Sequence, residues 1–180
     1  MPRPLRLPFD PIQRAGENWE RIWGPATAMR AATSVFRAQQ ILLARFDEAL
    51  RPYELTFARY EALVLLRFSR TGTLPLKVIG SRLMVHPTSV TNTVERLASA
   101  GLVDRRPNPA DGRGVLASIT DTGRATVERA TADLMAVDFG LENIGDERLD
   151  DLYATLRDVR YAAGDVAAID PALSQPGHEK

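Results

Sequence analysis

The sequence contains no cysteine and only two histidines, His86 and His178. The first absence removes a disulfide framework, a thiol redox switch and every cysteine metal ligand together, and two histidines are too few for a convincing metal site. We therefore expect no metal and no other cofactor. No apolar run approaches the roughly 20 residues of a membrane span, and the opening MPRPLRLPF lacks the continuous apolar core of a signal peptide. A cytoplasmic protein without membrane contact is the expectation. No glycine-rich nucleotide loop, catalytic triad, metal motif or paired carboxylate cluster stands out, so the chain does not read as an enzyme. Net charge is missing as well, since 23 basic residues balance 23 acidic ones. The distribution is less even. Between Leu74 and Arg124 seven basic residues (Lys77, Arg82, Arg96, Arg105, Arg106, Arg113, Arg124) face four acidic ones, and the rest of the chain returns that surplus of three. A local basic excess in a neutral chain suits salt-dependent phosphate binding by one face of a soluble particle.

What is present is organised around His86 to Arg113, HPTSVTNTVERLASAGLVDRRPNPADGR. Pro87 suits the first position of a helix with His86 as its N-cap, and Gly101 suits the left-handed residue that ends one. Val90, Val94 and Leu97 recur at helical spacing as a buried stripe. Thr88, Asn92, Glu95 and Ser99 then lie opposite, flanked by Ser89, Thr91 and Arg96. A helix that only supports a core more usually displays Lys and Glu there, whose helix propensity exceeds that of Thr, Ser and Asn. Small hydroxyl and amide groups behind a phosphate-favouring N-terminus suit a helix lying in a major groove. On that reading Thr88, Ser89, Thr91 and Asn92 meet base edges, Asn92 offers a bidentate pair to adenine, and Arg96 anchors a phosphate. For these residues alone an ordinary amphipathic helix remains the alternative.

The segment that follows reads as a hairpin. Leu102 to Arg106 alternates as a strand, Asn108-Pro109-Ala110-Asp111-Gly112 is dense turn chemistry, and Val115 to Thr120 returns as a second strand. Arg105, Arg106 and Arg113 sit on or beside the loop. Arg106 can pair with phosphate, and Arg113 at a protruding tip can enter a minor groove with Asp111 holding its guanidinium. A solvated turn is the plainer alternative.

Together these pieces resemble the winged helix-turn-helix of the MarR family of bacterial transcriptional regulators. The resemblance rests on T-S-V-T-N-x-V-x-R-L at Thr88 to Leu97, G-L-V-x-R at Gly101 to Arg105, D-x-R at Asp111 and Arg113, and I-T-x-x-G-R at Ile119 to Arg124. With the preceding helices it covers about Ala28 to Ala163. A tryptophan-bearing extra helix at the N-terminus is similar to the urate-responsive branch of that family. The branch implies an effector pocket made of a tryptophan, an acidic residue and two arginines, which map here to Trp19, Glu61 and Arg105, with Thr93 in the place of the second arginine. An anionic purine would lose there a charge-assisted partner worth about 1.5–3 kcal/mol. The implied effector is therefore a different or more weakly held small aromatic or purine-like acid. Equally, Glu61 and Arg105 can simply pair to brace the wing.

The other elements are placed by spacing. Residues 1–10 carry three prolines and read as a flexible arm. Asp10-Pro11 opens a helix over Ile12 to Trp23 that Gly24-Pro25 breaks. A long helix follows over Ala28 to Arg51 with Phe36, Leu43, Phe46 and Leu50 in its stripe, and Pro52 ends it. Thr56 can cap the next helix, which supplies Phe57, Leu63, Val64 and Leu66 to the core. Leu74 marks a short strand, and Pro75 opens a brief helix with Leu76, Ile79 and Leu83 inward. Thr120 to Gly123 caps a helix through about Phe139, and the last helix shows Leu149, Leu152, Leu156 and Val159.

The expected fold class is mainly α (α+β), a winged helix-turn-helix DNA-binding lobe between long terminal helices that form a dimerisation domain. We divide the chain into the arm at 1–10, N-terminal helices at 11–51 for dimerisation and an effector pocket, the DNA-binding domain at 52–120, dimerisation helices at 121–169, and a disordered tail at 170–180. The expected function is that of a sequence-specific, double-stranded DNA-binding transcriptional regulator, an effector-responsive repressor acting as a homodimer on a pseudo-palindromic operator. A winged-helix protein-interaction module without DNA binding is the alternative.

Overall fold

In the computed structural model, residues 7–166 are described, with the side chain of Arg113 excepted. Most of the expected arm, the whole of the tail from Asp170, and His178 lie outside the described residues.

The first helix, α1 (Pro11–Trp23), starts where the sequence places it. Asp10 Oδ1 accepts the backbone N–H of Ile12 at 2.8 Å and Gly24 closes the helix at φ 99°. It packs on α2 (Thr27–Leu50), to which Glu20 and Arg30 tie it at 3.0 Å. Only the C-terminal part of the expected α2 stripe is covered: Phe46 and Leu50 are buried, whereas Phe36 is 67% exposed and Leu43 also shows surface. The α-helix ends at Leu50, just ahead of Pro52 as expected, and a 3-10 turn, Arg51–Tyr53, leads on to α3 (Phe57–Phe68).

The cap of α3 differs from expectation. Thr56 occupies the N-cap position but its side chain caps nothing; the N–H of Phe57 donates to Asp47 Oδ1 at 2.9 Å instead. The long-range partner wins because α2 lies alongside and leaves the Thr56 hydroxyl to accept from Arg59 Nε at 3.3 Å. Tyr60, Ala62, Leu63 and Leu66 are buried, while Phe57 and Val64 pack at the rim of the core.

A short strand β1 (Thr73–Pro75) leads into α4 (Leu76–Leu83), then α5 (Pro87–Ser99) and the hairpin of β2 (Val103–Asn108) and β3 (Asp111–Ile119). The sheet order is β1-β3-β2, antiparallel throughout. Its strands run further into the turn than composition suggests. Asn108 pairs with Asp111 beyond a bulge at Pro107, and Asn108 Oδ1 accepts the N–H of Ala110 at 3.1 Å. That side-chain bond mimics a backbone turn and lets proline-rich sequence form a tight tip.

Helix α6 (Asp121–Ala136) is capped as expected, with Thr120 Oγ1 accepting the N–H of Gly123 at 3.0 Å. It stops short of Phe139, which sits at φ 50° in a 3-10 turn, Asp138–Gly140, and lays its ring edge-on to Phe46 with centroids 6.0 Å apart. Arg45 holds this turn through the carbonyl of Gly140 at 2.6 Å. Partial burial of this aromatic ring, up to about 1.5 kcal/mol, favours the turn over a continued helix.

The core is one cluster of residues from Phe46 to Leu134, in which Leu50, Leu63, Leu66, Ile79, Leu97 and Leu134 are completely enclosed. The chain divides into two compact units, Met1–Gly140 and Leu141–Lys180. Within the second, α7 (Asp146–Ala162) contains no buried residue, and of its stripe Leu152 and Val159 are exposed while Leu149 and Leu156 are partly covered. Among the described residues no helix is long and apolar enough to cross a membrane.

Candidate nucleic-acid interface

Helix α5 is held from within by the three residues its period singles out. Val90, Val94 and Leu97 are 2%, 0% and 1% exposed, so the helix can present only its other side. His86 Nδ1 accepts the N–H of Thr88 at 3.3 Å, which requires the ring proton on Nε2 and aims it away from the helix. At the far end Gly101 takes φ 70° and returns its N–H to Ala98 O at 2.9 Å. Only glycine adopts that conformation without steric cost. The wing begins directly after it.

On the outward side Thr88, Ser89, Asn92, Glu95 and Arg96 are exposed. Thr91 is half-buried and its hydroxyl donates to Pro87 O at 3.1 Å, leaving the oxygen lone pairs and the methyl group for an outside partner. Ser99 likewise donates to Glu95 O at 2.9 Å. Asn92 makes no hydrogen bond through its side chain among the described residues, so its amide is available in full. Arg96 and Arg106 are exposed and make no ion pair among the described residues. Asp111 is at the exposed tip of β3, beside Arg113, whose backbone lies on the same strand and whose side chain is outside the description.

The four residues assigned to an effector by resemblance are placed on separate elements. Trp19 meets Trp23 edge-on at 4.8 Å on α1. Glu61 lies half-buried on α3, and burial pushes its carboxyl above the ordinary value of 4.5. Thr93 is half-buried on α5 and Arg105 exposed on β2. No hydrogen bond or ion pair joins these four among the described residues. Arg105 does brace the wing, but through Glu95 rather than Glu61, with Nη1 3.1 Å from Oε1. The pair ties β2 to the outward side of α5. Reading Glu95 only as a surface residue misses this; the two are ten positions apart across a turn, and no helical or strand period links them.

Two further features were not read from the sequence. An apolar groove of about 340 Å³ runs between α3 and α6, lined by Tyr60, Val64, Phe68, Val127 and Thr131, with Arg67 and Glu128 paired across it at 3.1 Å. Tyr60 and Thr131 share a hydrogen bond at 3.0 Å on its wall. Each helix shows its half of the groove as spacing of three and four, but spacing does not say which two helices will face one another. The other feature is Met84, which ends α4 at φ 53° with its side chain in solvent.

Comparison with known proteins agrees with this architecture. The MarR family model matches residues 55–115, from the start of α3 to the wing. A solved MarR family transcriptional regulator from Streptomyces coelicolor is 60% identical, with a TM-score of 0.74 over 78% of this chain and 98% of that one. The chain belongs to the MarR family, a family of transcriptional regulators. An HTH-type transcriptional regulator of Mycobacterium tuberculosis is 32% identical over 105 residues, which span 57% of this chain and 66% of the relative. A cysteine-to-serine mutant of Escherichia coli MarR, solved in complex with operator DNA, is 25% identical with a TM-score of 0.66 over 78% of this chain and 96% of that one. The MarR-family fold of this chain thus has its long first core helix, its three-stranded sheet and its polar α5 in the order that the sequence analysis expected.

Proposed function

We propose that the protein is a sequence-specific regulator of transcription that lays α5 in the major groove and its hairpin along the flanking backbone. The observation that carries the reading is the outward side of α5. Thirteen residues long, this helix exposes short hydroxyl and amide side chains with basic residues at its end and on the neighbouring wing. In the reading Thr88, Ser89, Thr91 and Asn92 face base edges, and Arg96 and Arg106 face phosphates. Arg113 enters the minor groove beside Asp111, and His86 donates Nε2–H to the backbone. The family's members are regulators, and that kinship supports a cytoplasmic protein with no catalytic role. The operator complex of the Escherichia coli relative supports double-stranded DNA as the partner.

The regulator acts as a homodimer through its terminal helices. Support comes from the exposed Val35, Phe36 and Ile41 of α2 and, within the second unit, from Leu152, Tyr153 and Val159 of α7, apolar surface that an isologous contact would cover. Two copies place two α5 helices on half-sites about 10 base pairs apart, hence a pseudo-palindrome. A small aromatic acid that favours one lobe spacing would then release or tighten the DNA. Trp19, Glu61, Thr93 and Arg105 remain the proposed effector residues, with the α3–α6 groove as a second place of suitable size and apolar lining.

The test is selection of duplexes from a randomised pool by the purified full-length chain, followed by affinity measurements at several salt concentrations. Enrichment of a two-fold symmetric sequence is expected. Asn92→Ala should relax preference at one position of each half-site while leaving nonspecific binding within about twofold, because a lost bidentate contact removes about 1–3 kcal/mol of discrimination. A dimer that enriches no sequence would favour the protein-interaction reading.

A further inference from the structure

The turn between α4 and α5 contains a side chain that nothing in the fold explains. Met84 closes α4 in the left-handed region, at φ 53° and ψ 39°, which side chains other than glycine and asparagine occupy at a steric cost. Its side chain is 81% exposed, the highest exposure among the large apolar residues described. Val85 beside it is also exposed. Glycine would serve the turn better on both counts, relieving the backbone and exposing no apolar surface. A residue that is unfavourable for backbone and solvent alike points to a partner that the isolated chain lacks.

Its position says which partner. Residues 84 to 89 form an unbroken exposed run that leads from Met84 into the first turn of α5, where His86, Thr88 and Ser89 lie. Met84 precedes the N-cap of α5 by two residues, so a surface laid against the start of α5 comes close to Met84. The major groove offers one strongly apolar group to such a side chain, the C5-methyl of thymine. A flexible thioether chain can follow that methyl without a fixed hydrogen-bond geometry. We propose that Met84 is a specificity-determining residue, which recognises a thymine methyl at the edge of the half-site read by α5.

This inference rests on the DNA-binding reading above, and the experiment separates the two. A duplex is first selected from a randomised pool by the full-length wild-type chain, and its affinity is compared for wild type, Met84→Gly, Met84→Asn and Met84→Leu. Glycine and asparagine suit the left-handed turn, so both variants should melt at or above the wild-type temperature while binding the selected duplex about tenfold more weakly. Met84→Leu, which keeps an apolar chain, should retain affinity within about threefold. Replacing thymines one at a time by deoxyuridine, which lacks only the methyl, should weaken wild-type binding at one position of each half-site and leave Met84→Gly unaffected there. Equal affinity of Met84→Gly and wild type, or deoxyuridine effects that persist in Met84→Gly, would overturn the assignment of Met84 while leaving DNA recognition by α5 intact. Failure of the wild type to enrich any duplex would overturn both.

Discussion

Replacing Gly123 by alanine tests how the recognition helix and the wing are anchored to the rest of the molecule. Gly123 lies in the first turn of α6, where its N–H donates to Thr120 Oγ1 at 3.0 Å. Thr120 in turn donates its hydroxyl to Gly101 O at 2.8 Å and its N–H to Leu102 O at 3.1 Å. The start of α6 is therefore bolted to the turn that ends α5 and begins β2. A Cβ on residue 123 would press into the Leu102 carbonyl oxygen and lie 2.9 Å from Ile119 Cγ1, where real Cβ atoms essentially never come below 3.0 Å. The carbonyl is backbone and is already engaged, so it cannot yield without loosening the bond from Thr120. Two effects oppose one another. Alanine gains up to about 1 kcal/mol over glycine in helix propensity, whereas overpacking costs about 1–3 kcal/mol and the weakened hydrogen bond about 1 more. The steric side wins, with a net loss of about 2 kcal/mol. At a fixed protein concentration that is a fall in Tm of about 4–8 °C for a chain of this size. Thermal and urea denaturation of Gly123→Ala would measure it, and a loss below about 0.5 kcal/mol would refute the account of this joint.

Three other outcomes follow from contacts already described. Asp47→Ala removes the acceptor for the Phe57 N–H and should cost about 1 kcal/mol in urea denaturation; Asp47→Asn, which keeps an acceptor oxygen, should recover most of it. Glu61→Gln should raise the melting temperature near neutral pH. Burial raises the Glu61 pKa, so the stability it contributes is complete below the ordinary value of 4.5 and is lost as the pH climbs through the raised value; the gap between the variant and wild type should close on acidification, and a constant gap would assign the effect to packing. Glu95→Gln should change stability by less than about 1 kcal/mol, because both members of its pair with Arg105 are partly exposed. If the freed Arg105 then reaches a phosphate, the slope of log affinity against log salt should steepen by about 0.9, and an unchanged slope would leave Arg105 out of the phosphate contacts.

Much of the fold was legible because its signals are local. Asp10-Pro11, His86-Pro87, Gly101 and Thr120 act within a few residues of themselves, and the structure uses each as its chemistry suggests. The three-residue stripe of α5 was equally plain, since burial there follows helical period alone. What escaped were features decided by a distant partner. Asp47 displaced Thr56 as the cap of α3, Phe139 left the line of α6 to reach Phe46, and Glu95 rather than Glu61 met Arg105. In each case the sequence holds the right chemical group and says nothing of which neighbour tertiary packing will bring to it. The same limit applies to the site. A polar outward side on α5 can be read from composition, but the exposure of Met84 depends on a left-handed turn that a methionine does not advertise.

Where the chain departs from good local practice is itself informative. Among the described residues no buried side-chain nitrogen or oxygen is left without a hydrogen-bond partner, and the core residues follow their periods closely. The interior is thus built to the usual rules. Apart from Phe139, whose left-handed backbone seats its ring on Phe46, the departures lie on the outside: low-propensity hydroxyl and amide residues on α5, an apolar side chain at a left-handed turn beside them, and aliphatic or aromatic stripes left open on α2 and, separately, on α7. A sequence shaped only for its own monomeric fold would place Lys and Glu on α5, glycine or asparagine at position 84, and polar residues at Phe36 and Val159. Each of these choices costs an isolated chain something and becomes favourable only against a second surface. The two kinds of departure also differ in chemistry, hydrogen-bonding and basic around α5, aliphatic and aromatic on the terminal helices. That difference in chemistry is what the proposed function requires, a polyanion against one surface and another copy of the protein against the other.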